Sequence, residues 1–250
     1  MSAKRFPAEP DGGGVRTTPN SALSEESKFS FKDAKRIQES ITSGPERAAL
    51  VWMAARMPPS INSDHLTLLG FVAMFLAGAS YAIARWDRAG LLMAMFCLAL
   101  NWLGDSLDGT LARVRNRQRP GYGFYVDHII DSFGAVFLMA GLGASTYIDW
   151  RIAGSMLVAF LLLSIESYLA TYALGIFRLS FAKFGPTEIR ILLTLGTVVL
   201  WLHPNATVAG SWRLFDFGGT VAAIGMLVMV VVSAAWHTRI LYLQETNPQR

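Results

Sequence analysis

Charge is what this chain has least of: Asp, Glu, Lys and Arg supply 16% of its 250 residues, against 52% hydrophobic ones. Soluble domains carry about 25% charged residues, so the shortage argues against a soluble fold. Cysteine is nearly missing as well. Cys97 stands alone in an apolar run, which excludes an intrachain disulfide. It reads as a small core residue, because nothing beside it would activate a thiol. The alternation of polar and apolar residues that a transmembrane β-barrel requires is absent. So is a repeat of fixed period, and no apolar core follows Lys4 and Arg5 as it would in a signal peptide.

What the chain does have is apolar runs close to the roughly 20 residues needed to cross a hydrocarbon core. Six are legible: Leu66 to Ala84, Ala89 to Ala112, Val126 to Ile148, Ile152 to Ile176, Ile189 to Leu202 and Phe215 to Trp236, the fifth being the shortest. Helices satisfy their own backbone hydrogen bonds in lipid, so the expected fold is all-α, an integral membrane bundle of about six transmembrane helices. Residues 1–43 are polar, contain Gly12-Gly13-Gly14, and are expected to form a disordered cytoplasmic tail. Over residues 44–58, Ala48, Leu50, Val51, Met53, Ala54 and Met57 recur at three- and four-residue spacing, and Pro58-Pro59 end the pattern. That stretch predicts an amphipathic interfacial helix, with the membrane domain running from 59 to 250. Asn62, Ser63 or Asp64 is placed to cap the first span. Gly134, Gly141 and Gly143, and then Gly218, Gly219 and Gly225, are positions where helices could approach closely.

The net charge of +4 and a pI near 9.4 do not indicate nucleic acid, because the basic residues flank hydrophobic runs. Their placement reports topology instead. With both termini inside, cytoplasmic loops hold Arg113, Arg115, Arg117 and Arg119, then Arg178, Lys183 and Arg190, while the opposite loops hold Arg85, Arg88, Arg151 and Arg213. The asymmetry fits the positive-inside rule.

Against this apolar background four carboxylates sit where lipid should forbid them. The segment reads Asp105-Ser-Leu-Asp108-Gly109-Thr-Leu-Ala112-Arg113, a nine-residue gap, then Gly123-Phe-Tyr-Val-Asp127-His-Ile-Ile-Asp131. An ionised Asp inside a membrane costs a few kcal/mol or more, so acids there are expected to be paired and functional. Residues three and four apart share a helix face, so Asp105, Asp108, Gly109 and Ala112 form one stripe, and Gly123, Asp127 and Asp131 another. The short loop predicts antiparallel neighbours whose stripes converge. Converging carboxylates need cations between them, and oxygen ligands select Mg²⁺ or Mn²⁺. Two such ions about 4 Å apart can clamp a phosphoryl group. Gly109, Ala112 and Gly123 would leave room for a flat group, and Arg113 would supply positive charge.

Written out, the segment is D-x2-D-G-x2-A-R-x9-G-x3-D-x3-D, which resembles the defining motif of the CDP-alcohol phosphotransferase (CDP-alcohol phosphatidyltransferase) family at eight specified positions. The stretch from Pro59 to Gly70 resembles that family's lead-in to its first span, so the likeness covers roughly Arg47 to Trp236. It implies transfer of a substituted phosphate group from a CDP-linked donor to an alcohol or lipid acceptor, with release of CMP. By the same resemblance, Asp105, Asp108, Asp127 and Asp131 would bind two divalent cations, Asp131 would also be the general base, and Gly109, Ala112, Arg113 and Gly123 would line the CDP site. The expected setting is a bacterial inner membrane, with membrane lipids, and optionally a second copy of the chain, as partners. Asp127-His128-Ile-Ile-Asp131-Ser132 and Gly185-Pro186-Thr187-Glu188 look closer to the choline and ethanolamine branch than to the glycerophosphate one. His128 is a candidate partner of the acids. Glu166, Arg178, Lys183, Glu188 and Arg190 fall near the cytoplasmic helix ends where the acceptor should bind.

Two other classes compete. A membrane prenyltransferase would want a second Asp-rich cluster, and none follows Asp131. A cation transporter would show repeats or broken helices around a mid-membrane site.

Overall fold

The computed structural model describes residues 35–37, 43–174, 176–178, 186–208 and 210–246. Seven helices make up nearly all of it. α1 (Ser43–Arg56) is short. α2 (Ser63–Ile83), α3 (Ala89–Val114), α4 (Pro120–Ala144), α5 (Trp150–Leu174) and α7 (Leu214–Thr246) are each long and apolar enough to cross a membrane. α6 (Pro186–Leu202) has 17 residues, about 25 Å of helix at 1.5 Å per residue, which is the lower limit for a span. The all-helical membrane bundle expected from the sequence is therefore present, with five long spans and a sixth, shorter helix. Two small strand pairs accompany it. β1 (Lys35–Ile37) runs parallel to β2 (Ile176–Arg178), and β3 (Thr207–Val208) pairs antiparallel with β4 (Trp212–Arg213) between α6 and α7.

Local chemistry sets the ends of these helices. Pro58-Pro59 follow α1, since proline cannot continue a helix. Asn62 is the N-cap of α2, and the ring Nδ1 of His65 accepts the Asn62 N–H at 3.2 Å. Pro120 opens α4, where its missing N–H costs nothing. At one end of the bundle, Arg115 donates to the carbonyls of Met57, Pro58 and Ile61, and Arg119 pairs with Asp64. At the opposite end, Arg213 pairs with Asp216, whose other oxygen accepts the Asp149 N–H, and Arg88 donates to the Trp201 carbonyl.

The packing order departs from the expected one. α3 and α4 are not packed on each other along their lengths; each packs on α2. Glycine explains why. A Cβ at Gly104 of α3 would fall 2.6 Å from the Leu66 carbonyl oxygen, and one at Gly141 of α4 would fall onto the backbone of Gly78. α2 thus meets both helices backbone to backbone, and the buried Asn101 of α3 adds a side-chain bond to the Gly70 carbonyl at 3.0 Å. Like-charged acidic stripes give α3 and α4 no reason to close on one another. Of the glycines singled out in the sequence, Gly141 and Gly219 are in tight packing, while Gly218 and Gly225 face open space. α5 covers α4, α7 covers α5, and α6 packs on α3.

Two buried clusters hold the bundle. The larger is centred on Ala77, Tyr81, Leu91, Leu98, Leu138 and Leu142, towards the end away from the acids. The smaller docks α1 through Leu50 and Ala54 onto Leu66, Leu107 and Leu111. Outward faces carry exposed apolar side chains such as Phe75, Phe96, Leu169 and Val231, as a helix surface against lipid requires.

Candidate active site

The two acids of the first stripe are held by different helices. On α3, Asp108 is held by α2: Thr67 Oγ1 donates to its Oδ2 at 2.6 Å, and Ser63 Oγ donates to its carbonyl at 2.8 Å. Its other oxygen accepts the N–H of Gly109. Asp105 turns instead to α6, where Arg190 Nη2 lies 2.7 Å from its Oδ2, with both side chains mostly buried. In an apolar surround such charged hydrogen bonds are roughly twice as strong as neutral ones, and they fix each carboxylate's direction.

Asp127 and Asp131 come from α4, on the other side of α2. Asp131 is within electrostatic reach of Asp105, Asp108, Asp127 and Arg190. Arg113 bears on Asp108 and donates to Thr110 Oγ1 at 3.0 Å. The structure therefore brings all four sequence-predicted acids into one region. Among the described residues no three acidic, histidine or cysteine side chains close around a common point, and Arg190 occupies Asp105. Even so, the four carboxylates bring together donors that are oxygen only. That donor set suits a hard divalent cation.

Of the small residues predicted to make room, Gly123 is exposed on the surface of α4. Among the described residues a Cβ there would meet nothing within 4 Å, and one at Gly109 would meet the Arg113 guanidinium at 3.5 Å. Ala112 lines a cavity of about 370 Å³ together with Asn62, Ser63, Asp64, Arg115, Arg117 and Arg119. Gly109, Arg113 and Gly123 are not in its lining. Within this basic rim Arg115 is already committed to three carbonyls, which closes the α1–α2 turn.

His128 sits beside the acids with Nδ1 donating to the Phe124 carbonyl at 2.6 Å. Its ring packs edge-on against Tyr168 of α5 at 4.7 Å, and Tyr168 is itself within reach of Asp127 and Asp131. Glu166 does not join this group: it is buried between α5 and α7, with Oε1 2.5 Å from His237 Nδ1. The side chains of Arg178 and Glu188 and the whole of Lys183 lie outside the described residues. Sequence reasoning missed Thr67, Ser63 and Tyr168. Thr67 and Ser63 fall inside the family-like lead-in, four residues apart on one face, and that spacing was the available signal. Nothing local marks Tyr168.

The fold and site together define an integral membrane protein, an all-helical bundle with four carboxylates gathered near an arginine-rich end. Residues 61–240 match the CDP-alcohol phosphatidyltransferase family, and the chain belongs to that family. It is also similar to an uncharacterized protein of Aquifex aeolicus (strain VF5), 30% identical over 149 residues, which are 57% of this chain and 71% of that one. Family membership makes the chain a membrane transferase of phospholipid synthesis, which leaves the prenyltransferase and transporter readings without support.

Proposed function

We propose that the chain transfers a substituted phosphate group from a CDP-linked donor, either CDP-diacylglycerol or a CDP-aminoalcohol, to an alcohol acceptor and releases CMP. The observation that carries this is the gathering of four carboxylates from α3 and α4, with Asp131 within electrostatic reach of Asp105, Asp108 and Asp127. Asp105, Asp108, Asp127 and Asp131 would hold two divalent cations, Mg²⁺ or Mn²⁺, with Asp105 exchanging Arg190 for a cation. When bound, the ions would neutralise the charge that develops on the transferred phosphate and on the leaving CMP.

The chain's own residues do the rest. Thr67 and Ser63 hold Asp108 in place, while Gly109, Ala112 and Gly123 give the CDP moiety room. Arg113 and the basic rim bear on its phosphates. Asp131 takes the acceptor hydroxyl's proton as the acceptor oxygen bonds to the phosphorus distal to cytidine. The pyrophosphate P–O bond breaks, and CMP leaves with the electron pair. Arg190, released from Asp105, is free to meet an anionic group of either substrate. The site lies on the cytoplasmic side of a bacterial inner membrane, with both termini on that side and α1 along the surface.

The test is CMP release by purified protein given CDP-diacylglycerol or CDP-ethanolamine, each with a panel of alcohols. Release is expected with Mg²⁺ or Mn²⁺ and should stop on chelation. Asp105→Asn, Asp108→Asn and Asp127→Asn should each lower it at least about 100-fold while the protein still inserts and stays monodisperse. Full turnover in any one of the three would break the two-cation assignment.

A further inference from the structure

A single oxygen of Glu46 joins the two helices that carry the Asp105–Arg190 pair. Trp102 Nε1 of α3 donates to Glu46 Oε1 at 2.9 Å, and Thr187 Oγ1 of α6 donates to the same atom at 3.0 Å. Each donor lies three residues ahead of a site residue on its own helix: Trp102 precedes Asp105, and Thr187 precedes Arg190. Residues three apart share a helix face, so the Glu46 junction stands one turn from the ion pair on both of its helices. Glu46 is itself fixed, because Leu50 and Ala54 follow it at four-residue spacing and bury the same face of α1 against Leu66, Leu107 and Leu111. It also lies ahead of the matched residues 61–240, so family membership assigns it no role.

We propose that Glu46 is a positioning residue: it locks α3 to α6 through Trp102 and Thr187 and thereby sets Asp105 and Arg190 against each other. The proposal rests on the reading of those two residues as part of the reaction site. Such a lock acts where α6 is otherwise least held. Its buried anchors, Thr197 bonded to Tyr81 of α2 at 2.6 Å and Leu200 in the larger core cluster, lie about two turns or more beyond Arg190. A carboxylate accepting both donors makes stronger bonds than a neutral group. Removing it would leave the indole N–H and the threonine hydroxyl without their acceptor. α1 would then be a strut reaching from the bundle surface to the chemistry, more than a passive anchor.

The experiment uses the full chain in a Cys97→Ala background, with spin labels at the exposed positions Val114 on α3 and Ile191 on α6. Pulsed electron paramagnetic resonance reads the distance between them, and CMP release is measured on the same preparations. Glu46→Ala should broaden the distance distribution and lower turnover by about 10- to 100-fold, the usual consequence of misplacing a reacting group by about an ångström. Thr187→Val, near-isosteric and certain to lose only one arm, should do the same more weakly. Glu46→Gln keeps an oxygen that accepts both bonds, so it should restore the narrow distribution and turnover together. A distribution unchanged in Glu46→Ala overturns the bridge whatever the turnover. A broadened distribution with full turnover, or a Glu46→Gln as impaired as Glu46→Ala, overturns the positioning role. If the wild-type chain released no CMP, the reaction assigned above would fall, and the distance arm would still judge the bridge.

Discussion

The four acids differ in what holds them, and the difference assigns them separate tests. Asp108 is bound by Thr67 and its own helix, and Asp105 by Arg190, so both are built into the α3 wall before any ligand arrives. Asp131 stands on the α4 wall, facing the other three. As the proposed base it should matter to the transfer step more than to donor binding. Asp131→Asn is therefore expected to lower turnover by about 10²- to 10⁴-fold, the usual worth of a general base, while donor affinity stays near that of wild type. Affinity by calorimetry and turnover on one preparation check this. An affinity that falls as steeply as turnover would make Asp131 chiefly a ligand and move the base to His128 or Glu188. At this scale the acids themselves were legible, because ionisable residues at fixed spacing stand out in an apolar run. Their partners were not. Arg190 lies 85 positions from Asp105 in the chain, and helical periodicity says which face a residue takes but never which helix it meets.

At the scale of elements, α2 organises the site without contributing any of the four clustered acids. Its glycines admit α3 on one side and α4 on the other, which sets the two acidic stripes at either edge of one helix. The sequence reading placed α3 and α4 side by side because a short loop joins them. It could not see that Gly78 and Gly104 make α2 the nearer neighbour of both. A side chain at Gly141 must push α4 away from α2, since its Cβ would land on the Gly78 backbone. Overpacking of this kind costs about 1–3 kcal/mol even where the neighbour is a movable side chain, and backbone cannot move aside. Gly141→Val should therefore lower the melting temperature in detergent and shift the protein towards aggregate on size exclusion. Gly225→Ala on α7, where nothing lies within 4 Å, should leave both unchanged. Equal behaviour of the two variants would remove the close α2–α4 crossing from the account of how the two acidic stripes are placed.

For the whole molecule, the question is which face of the membrane the acid cluster lies nearer. The acidic stripes lie near the same end as the turn after α1, the loop between α3 and α4, and the start of α6, because Arg115, Arg119 and Arg190 make their contacts there. That end holds Arg47 and Arg56 of α1 with Arg113, Arg115, Arg117, Arg119 and Arg190; the opposite one holds Arg85, Arg88, Arg151 and Arg213. The two ends differ in density as well as in number. At the acid-bearing end four of the arginines fall within seven residues of each other, which is the dense, loop-borne pattern that sets orientation. A CDP-linked donor arriving from the cytosol, as in the function proposed above, would demand the same orientation, so the charge pattern and the proposed chemistry agree. A cysteine at the exposed Arg117 should accordingly be modified by an impermeant maleimide only in inverted vesicles, and one at the exposed Ser211 only in intact cells. The background is Cys97→Ala, although Cys97 is 2% exposed and should be silent in any case. The reversed pattern would put the acid cluster on the side away from the cytosol and would rule out a cytosolic donor. Labelling of both positions from both sides would mean that the chain inserts in two orientations, and a site assembled from one arginine-rich end could then serve only half the molecules.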